Sequence, residues 1–421
     1  MFVGVERLFA WIWLATCACP APAGSTADGR ARLVFVHQPL GDPRPLNALL
    51  DEFRRAHPDL SLSTELLPNE ADVAHQYFLT ALEGAASSLD VFVADIVWIA
   101  EFARAGWIAD LSDAFSPEEL RRDFLPGPVD AVTLDGRVFA VPWYVDAGIL
   151  YWRTDLVPRA PRTYAELEAF AAAAQARDPS LVGYVWQGRQ YEGLVCDVYE
   201  AIWGHGGTSF SGGRLALDQP PARDALAYLR GLIVRGRSPA WVISAAEEEA
   251  RRAFQSGRAV FMRNWPYAWV EAQAPGSPIR GRVDFAPLPT ADGAAGAGAL
   301  GGWQLAVSSR LAPGRRKAAI ALVRFLSSPR AEKVLAEAYG RNPARRSVYE
   351  DPELRAKEPF IVSLLPIVER ARPRPVTPYY PMLSDVLQGE FSAAVSGIRT
   401  PAEALRRAQA QSDRIMGQAT P

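Results

Sequence analysis

Four places along the chain set tryptophan or tyrosine beside a polar side chain just beyond a strand-like run. They are Trp143, Tyr144 and Asp146; Trp186, Gln187, Tyr191 and Glu192; Asn264, Trp265 and Tyr267; and Trp303 with Gln304. Each ring offers an apolar plane with a polar tip, and the carboxylates and amides beside it accept or donate hydrogen bonds. Taken together, such groups suit a ligand with apolar C–H faces and a hydroxyl edge, which is the chemistry of a sugar. One such cluster alone reads more simply as aromatic packing, but four with the same chemistry point to a shared site if the fold makes them converge. Asp95 adds a further carboxylate at the end of the apolar run 89–94, where open α/β sheets gather ligand groups, although an aspartate ahead of a helix also serves as an N-cap. Asp95, Asp146 and Glu192 also raise the alternative of a glycoside hydrolase, which needs two carboxyls facing one bond at about 5 Å or about 6.5–9.5 Å. No spacing in the sequence establishes such a pair.

The elements that must hold these groups alternate in kind. Residues 32–36 read as a strand, 45–56 as a helix with Leu46, Leu49, Leu50 and Phe53 on one face, and 60–67 as an alternating strand. A helix over 73–84, a buried strand over 89–94 and a short helix over 99–105 follow, giving an α/β lobe with a largely parallel sheet. Asp135-Gly136 is a hairpin signal, and 138–141 reads as a short strand ending at Pro142, with a second strand beyond. Gly148 permits close backbone approach. Further on, 163–176 is a helix with Thr163 and Glu166 at capping-box spacing, and helices are expected over 221–235 and 245–256. The run Glu247-Glu248-Glu249 on the last of these reads as a solvated face. Strands follow at 259–262, 283–289 and 301–308, the last two separated by a small-residue connection over 291–299. Helices are expected over 315–326, 329–339, 384–395 and 401–416, and the prolines of 372–381 mark an extended crossing segment without a helix.

A chain of 421 residues exceeds the size at which one core stops growing, so two lobes are expected. With 49% hydrophobic and 22% charged residues it has the composition of a globular protein, and a net charge of −2 argues against a nucleic-acid partner. No cysteine–histidine spacing suits zinc and no phosphate-binding loop is present, so neither a metal nor a cofactor is implied. Residues 1–24 read as a secretory leader, with Cys17 or Cys19 as an alternative lipid attachment point and Ala21-Pro22-Ala23 as an ordinary cleavage site. That places the protein in the periplasm or otherwise outside the cytoplasm. Cys196, between apolar neighbours, reads as a buried small hydrophobe.

Trp186-Gln-Gly-Arg-Gln-Tyr-Glu-Gly-Leu-Val-Cys-Asp197, Asn264-Trp-Pro-Tyr-Ala-Trp269, Leu300-Gly-Gly-Trp303 and Pro373-Arg-Pro375 with Pro378-Tyr-Tyr-Pro381 closely resemble the trehalose/maltose-binding proteins of ABC importers, within the family 1 extracellular solute-binding proteins. The resemblance implies an α/β, two-lobed periplasmic-binding-protein fold (type II) with the ligand in the cleft. It implies crossings between lobes near 140–151, 287–302 and 327–329, hence a first lobe of 32–146 plus 290–328 and a second of 147–289 plus 329–418. It further implies disaccharide contacts at Asp95, Tyr144, Asp146, Glu192, Trp265, Tyr267, Gly302, Trp303 and Arg374. The implied activity is that of a monomeric, non-enzymatic receptor that hands an α-linked disaccharide to the transmembrane subunits of an ABC permease. His37-Gln38-Pro39 and Ala74-His75 depart from the pattern, where relatives place an acidic residue and an arginine. The resemblance therefore gives the class of ligand and leaves the individual sugar open.

Overall fold

The run Leu33-Val-Phe-Val36 is apolar on both faces of its strand, which suits the centre of a sheet covered on both sides. In the computed structural model, which describes residues 31–68, 70–84, 89–211 and 213–418, Ala31–His37 indeed lies inside a six-stranded sheet. The expected leader, with Cys17 and Cys19, falls outside the described residues. Ala31–His37 pairs in parallel with Leu60–Leu66 on one side and Val91–Asp95 on the other. Leu300–Val307 then runs antiparallel between Val91–Asp95 and Val141–Ala147, and Asn342–Pro343 closes the edge. Helix Arg44–Ala56 buries Leu46, Leu49, Leu50 and Phe53, the apolar face that its spacing predicts.

A second sheet of four strands takes the order Val283–Ala286, Ile149–Arg153, Ala259–Asn264, Val182–Val185. Around it pack helices Tyr164–Arg177, Glu192–Gly204, Pro220–Val234, Tyr380–Ser396 and Pro401–Gln418. Thr163 caps the first of these by accepting the Glu166 N–H at 3.0 Å. Cys196 is buried in this second core as a free thiol. No helix among the described residues is long and apolar enough to cross a membrane.

The two sheets meet at Gly148. Ala147 pairs with Leu300 in the first sheet and Ile149 with Asn264 in the second, so a single residue separates them. A Cβ at Gly148 would overlap the Glu200 carboxylate and the Arg263 guanidinium, and one at Gly298 would overlap the Gly148 backbone. Glycine is therefore what lets the outgoing and returning chains lie against each other. Arg372 joins them: its N–H reaches Gly298 O at 2.9 Å and its carbonyl accepts the Leu300 N–H at 2.8 Å.

Three expectations need correction. The chain does not leave the first lobe at 327–329. Helix Pro329–Tyr339 is held there by the Tyr339 hydroxyl, which donates to Asp42 O and accepts the Leu46 N–H, and Asn342–Pro343 pairs with Val141–Ala147. The chain passes over only after Asn342–Pro343: Phe360 already stacks on Trp269 of the second lobe at 4.5 Å, and 371–375 runs beside the other two crossings. Pro142 does not end a strand either: it sits inside Val141–Ala147 opposite Gln304, at the register shift between Trp303 and Gln304, where an irregular ladder tolerates the missing donor. Finally, the proline-rich segment becomes helical at Tyr380, because Pro381 falls in the first helical turn, where its lack of an N–H costs nothing. The Asp135-Gly136 hairpin is as expected, with φ of 50° and 75° in the turn between Thr133–Leu134 and Arg137–Val138.

Candidate functional site

Strand ends from both sheets converge where the lobes meet. Asp95 ends its strand in register with Trp303, while Tyr144 and Asp146 on the opposite flank of Leu300–Val307 are in register with Trp303 and Gly301. Gly302, at φ 116°, is pressed so closely on the Tyr144 and Val145 backbone that a side chain would not fit. Its carbonyl accepts the Ile96 N–H at 3.2 Å, which shapes the turn after Asp95. From the second lobe, Trp265 reaches across: a Cβ on Gly301 would lie 3.3 Å from the Trp265 ring and 3.6 Å from Asp146 Cβ. The absence of a side chain at 301 thus leaves the Trp265 plane standing over the first-lobe floor next to Asp146.

Arg374 arrives on 371–375 and links both lobes. Its guanidinium lies 3.6 Å from Asp95 and 2.5 Å from Glu192, and donates to Leu300 O at 3.3 Å. Glu192 also accepts from the Tyr380 hydroxyl, at 2.6 Å, and from Ser384 Oγ. Burial pushes the Asp95 carboxyl up, against the opposing pull of Arg374. Burial likewise raises Asp146, with Arg341 and Arg263 pulling it back. Three polar atoms here, Asp146 Oδ1, Arg341 Nε and Arg374 Nε, are buried without a hydrogen-bond partner. Leaving such a group unpaired costs about 1–3 kcal/mol, so the junction holds unspent donors and an unspent acceptor side by side.

The expected residues Asp95, Tyr144, Asp146, Glu192, Trp265, Tyr267, Gly302, Trp303 and Arg374 all lie at this junction, but their surroundings differ. Trp303 is half-buried and edge-on to Trp98 at 5.4 Å. Tyr144 donates its hydroxyl to Gln38 Oε1 at 2.5 Å, so the departure at 37–39 is tied into the site. His75 pairs with Glu101 at 2.6 Å. Trp186 and Gln187 turn out to be core: Trp186 Nε1 donates to Ser238, and Gln187 both accepts from Arg263 Nη1 and donates to Arg263 O. Arg263 in turn is gripped by Asp197 at 2.9 Å and Glu200 at 2.5 Å, and its guanidinium lies 4.1 Å from the Trp265 ring centroid. That stack holds the tryptophan plane from behind.

The reading of Glu247-Glu248-Glu249 as a solvated face is corrected. Glu247 accepts from Trp265 Nε1 at 3.3 Å and from the Tyr191 hydroxyl at 2.7 Å, while Glu248 accepts from the Tyr267 hydroxyl at 2.8 Å. Two of the three glutamates therefore fix the site's aromatic rings. Arg341 is the other residue that sequence reasoning passed over, because it follows a helix end, not a strand, and the neighbouring Tyr339 packs in the first lobe.

Two lobes joined by three neighbouring crossings, with polar and aromatic groups converging between them, define the two-lobed fold of a solute-binding protein. Comparison with known proteins agrees. Residues 39–333 match the family described as bacterial extracellular solute-binding protein, and the chain belongs to that family. It is 37% identical over 369 residues to a probable ABC transporter-binding protein of Deinococcus radiodurans, covering 83% of this chain and 86% of that one. Among solved structures, the maltose-bound MalE3 of T. maritima superposes with a TM-score of 0.85 at 36% identity, covering 91% of this chain and 99% of its own. The GacH receptor of Streptomyces glaucescens, solved unliganded and with acarbose, shares the fold with a TM-score of 0.80 at 23% identity, covering 92% and 98%.

Proposed function

We propose that this protein is the extracytoplasmic receptor of an ABC sugar importer, binding a neutral α-linked disaccharide of the maltose or trehalose kind between its lobes. The observation that carries the reading is the junction itself: Asp95 with Arg374 on one flank, Asp146 on the other, the Trp265 plane between, and orphaned polar atoms among them. Rings that lie on sugar C–H faces and charged groups that meet hydroxyls are both needed for such a ligand. Glu192 supports Arg374 in this reading, since both its oxygens are already engaged. These engagements also speak against Glu192 as the acid of a hydrolase, which must present a carboxyl to the scissile bond. The relatives carry names that fit: one is named a probable ABC transporter-binding protein and one was solved with maltose bound. The partners in this reading are the permease's transmembrane subunits, the receptor acts as a monomer, and residues 1–24 carry it out of the cytoplasm, with Cys17 or Cys19 available for lipidation.

A thermal-shift panel of mono- and disaccharides tests this. A ligand at 100 times its dissociation constant adds about 2.7 kcal/mol to the native state, and maltose or trehalose is expected to give the largest rise in melting temperature. Release of glucose from either sugar by the purified protein would instead favour the hydrolase.

A further inference from the structure

Gly340 ends helix Pro329–Tyr339 in a left-handed conformation, at φ 63°, and delivers the next residue into the junction between lobes. At this point the first lobe touches the second, since a Cβ on Gly340 would press on Val270. The Arg341 guanidinium carbon stands 5.1 Å from the ring centroid of Tyr144 in the first lobe and 5.7 Å from that of Tyr267 in the second. Yet the guanidinium makes no hydrogen bond or ion pair among the described residues, and its Nε is buried without a partner. An arginine carries five donors in a rigid fork. One that spends none of them on its own protein, with Asp146 close enough to feel its charge, is placed to spend them on a ligand.

We propose that Arg341 is a ligand contact that sets specificity, donating to oxygens of the sugar unit whose hydroxyls Asp146 accepts. The assignment rests on the disaccharide reading above and deepens it. Asp146 and Asp95 lie on strands that flank Leu300–Val307 on either side, opposite Gly301 and Trp303, so their backbones are two strand spacings apart across it and two residues apart along it, about 12 Å in all. The crevice thus has two poles, Asp146 with Arg341 and Asp95 with Arg374, and each pole reads one ring of a two-ring ligand. Each pole also offers an acceptor next to a cation, which matches uncharged hydroxyls and disfavours a uronate or an amino sugar.

The test compares the unmodified protein with Arg341→Met and Arg341→Lys by calorimetry, using maltose, trehalose and maltose analogues that each lack one hydroxyl. Arg341→Met is expected to weaken the better sugar by about tenfold or more while leaving the ligand-free melting temperature unchanged. In the unmodified protein at least one deoxy analogue binds more weakly than its parent, and in Arg341→Met that analogue and the parent bind alike. A residue that merely propped the two tyrosines would lower affinity for every analogue in the same proportion, and that pattern would overturn the assignment. Should Arg341→Met not fold, Arg341→Lys carries the same comparison, because a point charge cannot reproduce the fork. Binding of the parent sugar by the variants within about twofold of the unmodified protein would also overturn it. If the unmodified protein bound neither sugar while other ligands shifted its melting temperature, the disaccharide reading would fall, and this assignment with it.

Discussion

At the scale of single residues, most of the binding energy is expected to rest on a few groups. Removing the Asp146 carboxylate strands the hydroxyls it would accept, at about 1–3 kcal/mol, so Asp146→Ala is expected to weaken binding by about tenfold or more. Trp265→Ala removes the stacking plane and is expected to cost at least as much, since large aromatic anchors dominate desolvated pockets. Tryptophan-fluorescence titration measures the first and calorimetry the second; affinities of both variants close to that of the unmodified protein would remove these residues from the site. Glu248→Ala is expected to loosen binding by about fivefold, near 1 kcal/mol, because the Tyr267 hydroxyl loses its partner at 2.8 Å. The placing of Asp146 and Trp265 near one another was legible in the sequence because four clusters of a ring beside a polar group recur after strands, although each alone reads as packing. Glu247, Glu248 and Arg341 were not. Three glutamates on an exposed helix look solvated, and only tertiary packing brings Glu248 to Tyr267, 19 positions away.

At the scale of elements, two helix starts face each other across the mouth of the cleft. Glu70 before helix Ala71–Glu83 meets Arg189, ahead of Glu192–Gly204, at 3.2 Å, and the Asp72 carboxyl lies close enough to the start of the second helix to feel the Glu192 N–H. Partial burial, with the charges of Glu192 and Asp385, pushes the Asp72 pKa up from 3.8 to about 6, while the Glu192 N–H and His75 pull the other way. The sign follows from proton linkage. A raised value means the closed arrangement holds a proton that an open one, at the ordinary 3.8, has released. Closure, and with it sugar affinity, is expected to weaken as pH rises from about 4 to about 6 and to level off above. The effect is modest because solvent still reaches Asp72. Calorimetry across that range checks it, and Asp72→Asn is expected to flatten the profile; an unchanged profile in the variant would assign the dependence elsewhere. The strands and most helices were legible from periodicity. The third crossing was not, because Ser327-Ser328-Pro329 carries the signature of a break whether or not the chain then changes lobe. What keeps the following helix in the first lobe is Tyr339, tied to residues almost three hundred positions earlier.

At the scale of the whole molecule, the same contacts that would hold the ligand also join the lobes. Arg374 spans Asp95 and Glu192, and Arg341 stands between Tyr144 and Tyr267, so a ligand that satisfies both arginines acts on both lobes at once. Such a ligand can shift an opening equilibrium only through its greater affinity for the closed form, and small-angle scattering is expected to show compaction when sugar is added. An unchanged radius of gyration with bound sugar would mean that the lobes do not move. Family and fold are secure from the chain itself, and what they leave to chemistry is the identity of the ligand. The most direct measurement is calorimetric titration of the leader-free protein with maltose and with trehalose. The account predicts saturable binding of one sugar per chain for at least one of them, with a micromolar or tighter dissociation constant, about −8 kcal/mol. Absence of binding to both, under conditions where the protein is folded and another solute does bind, would contradict it.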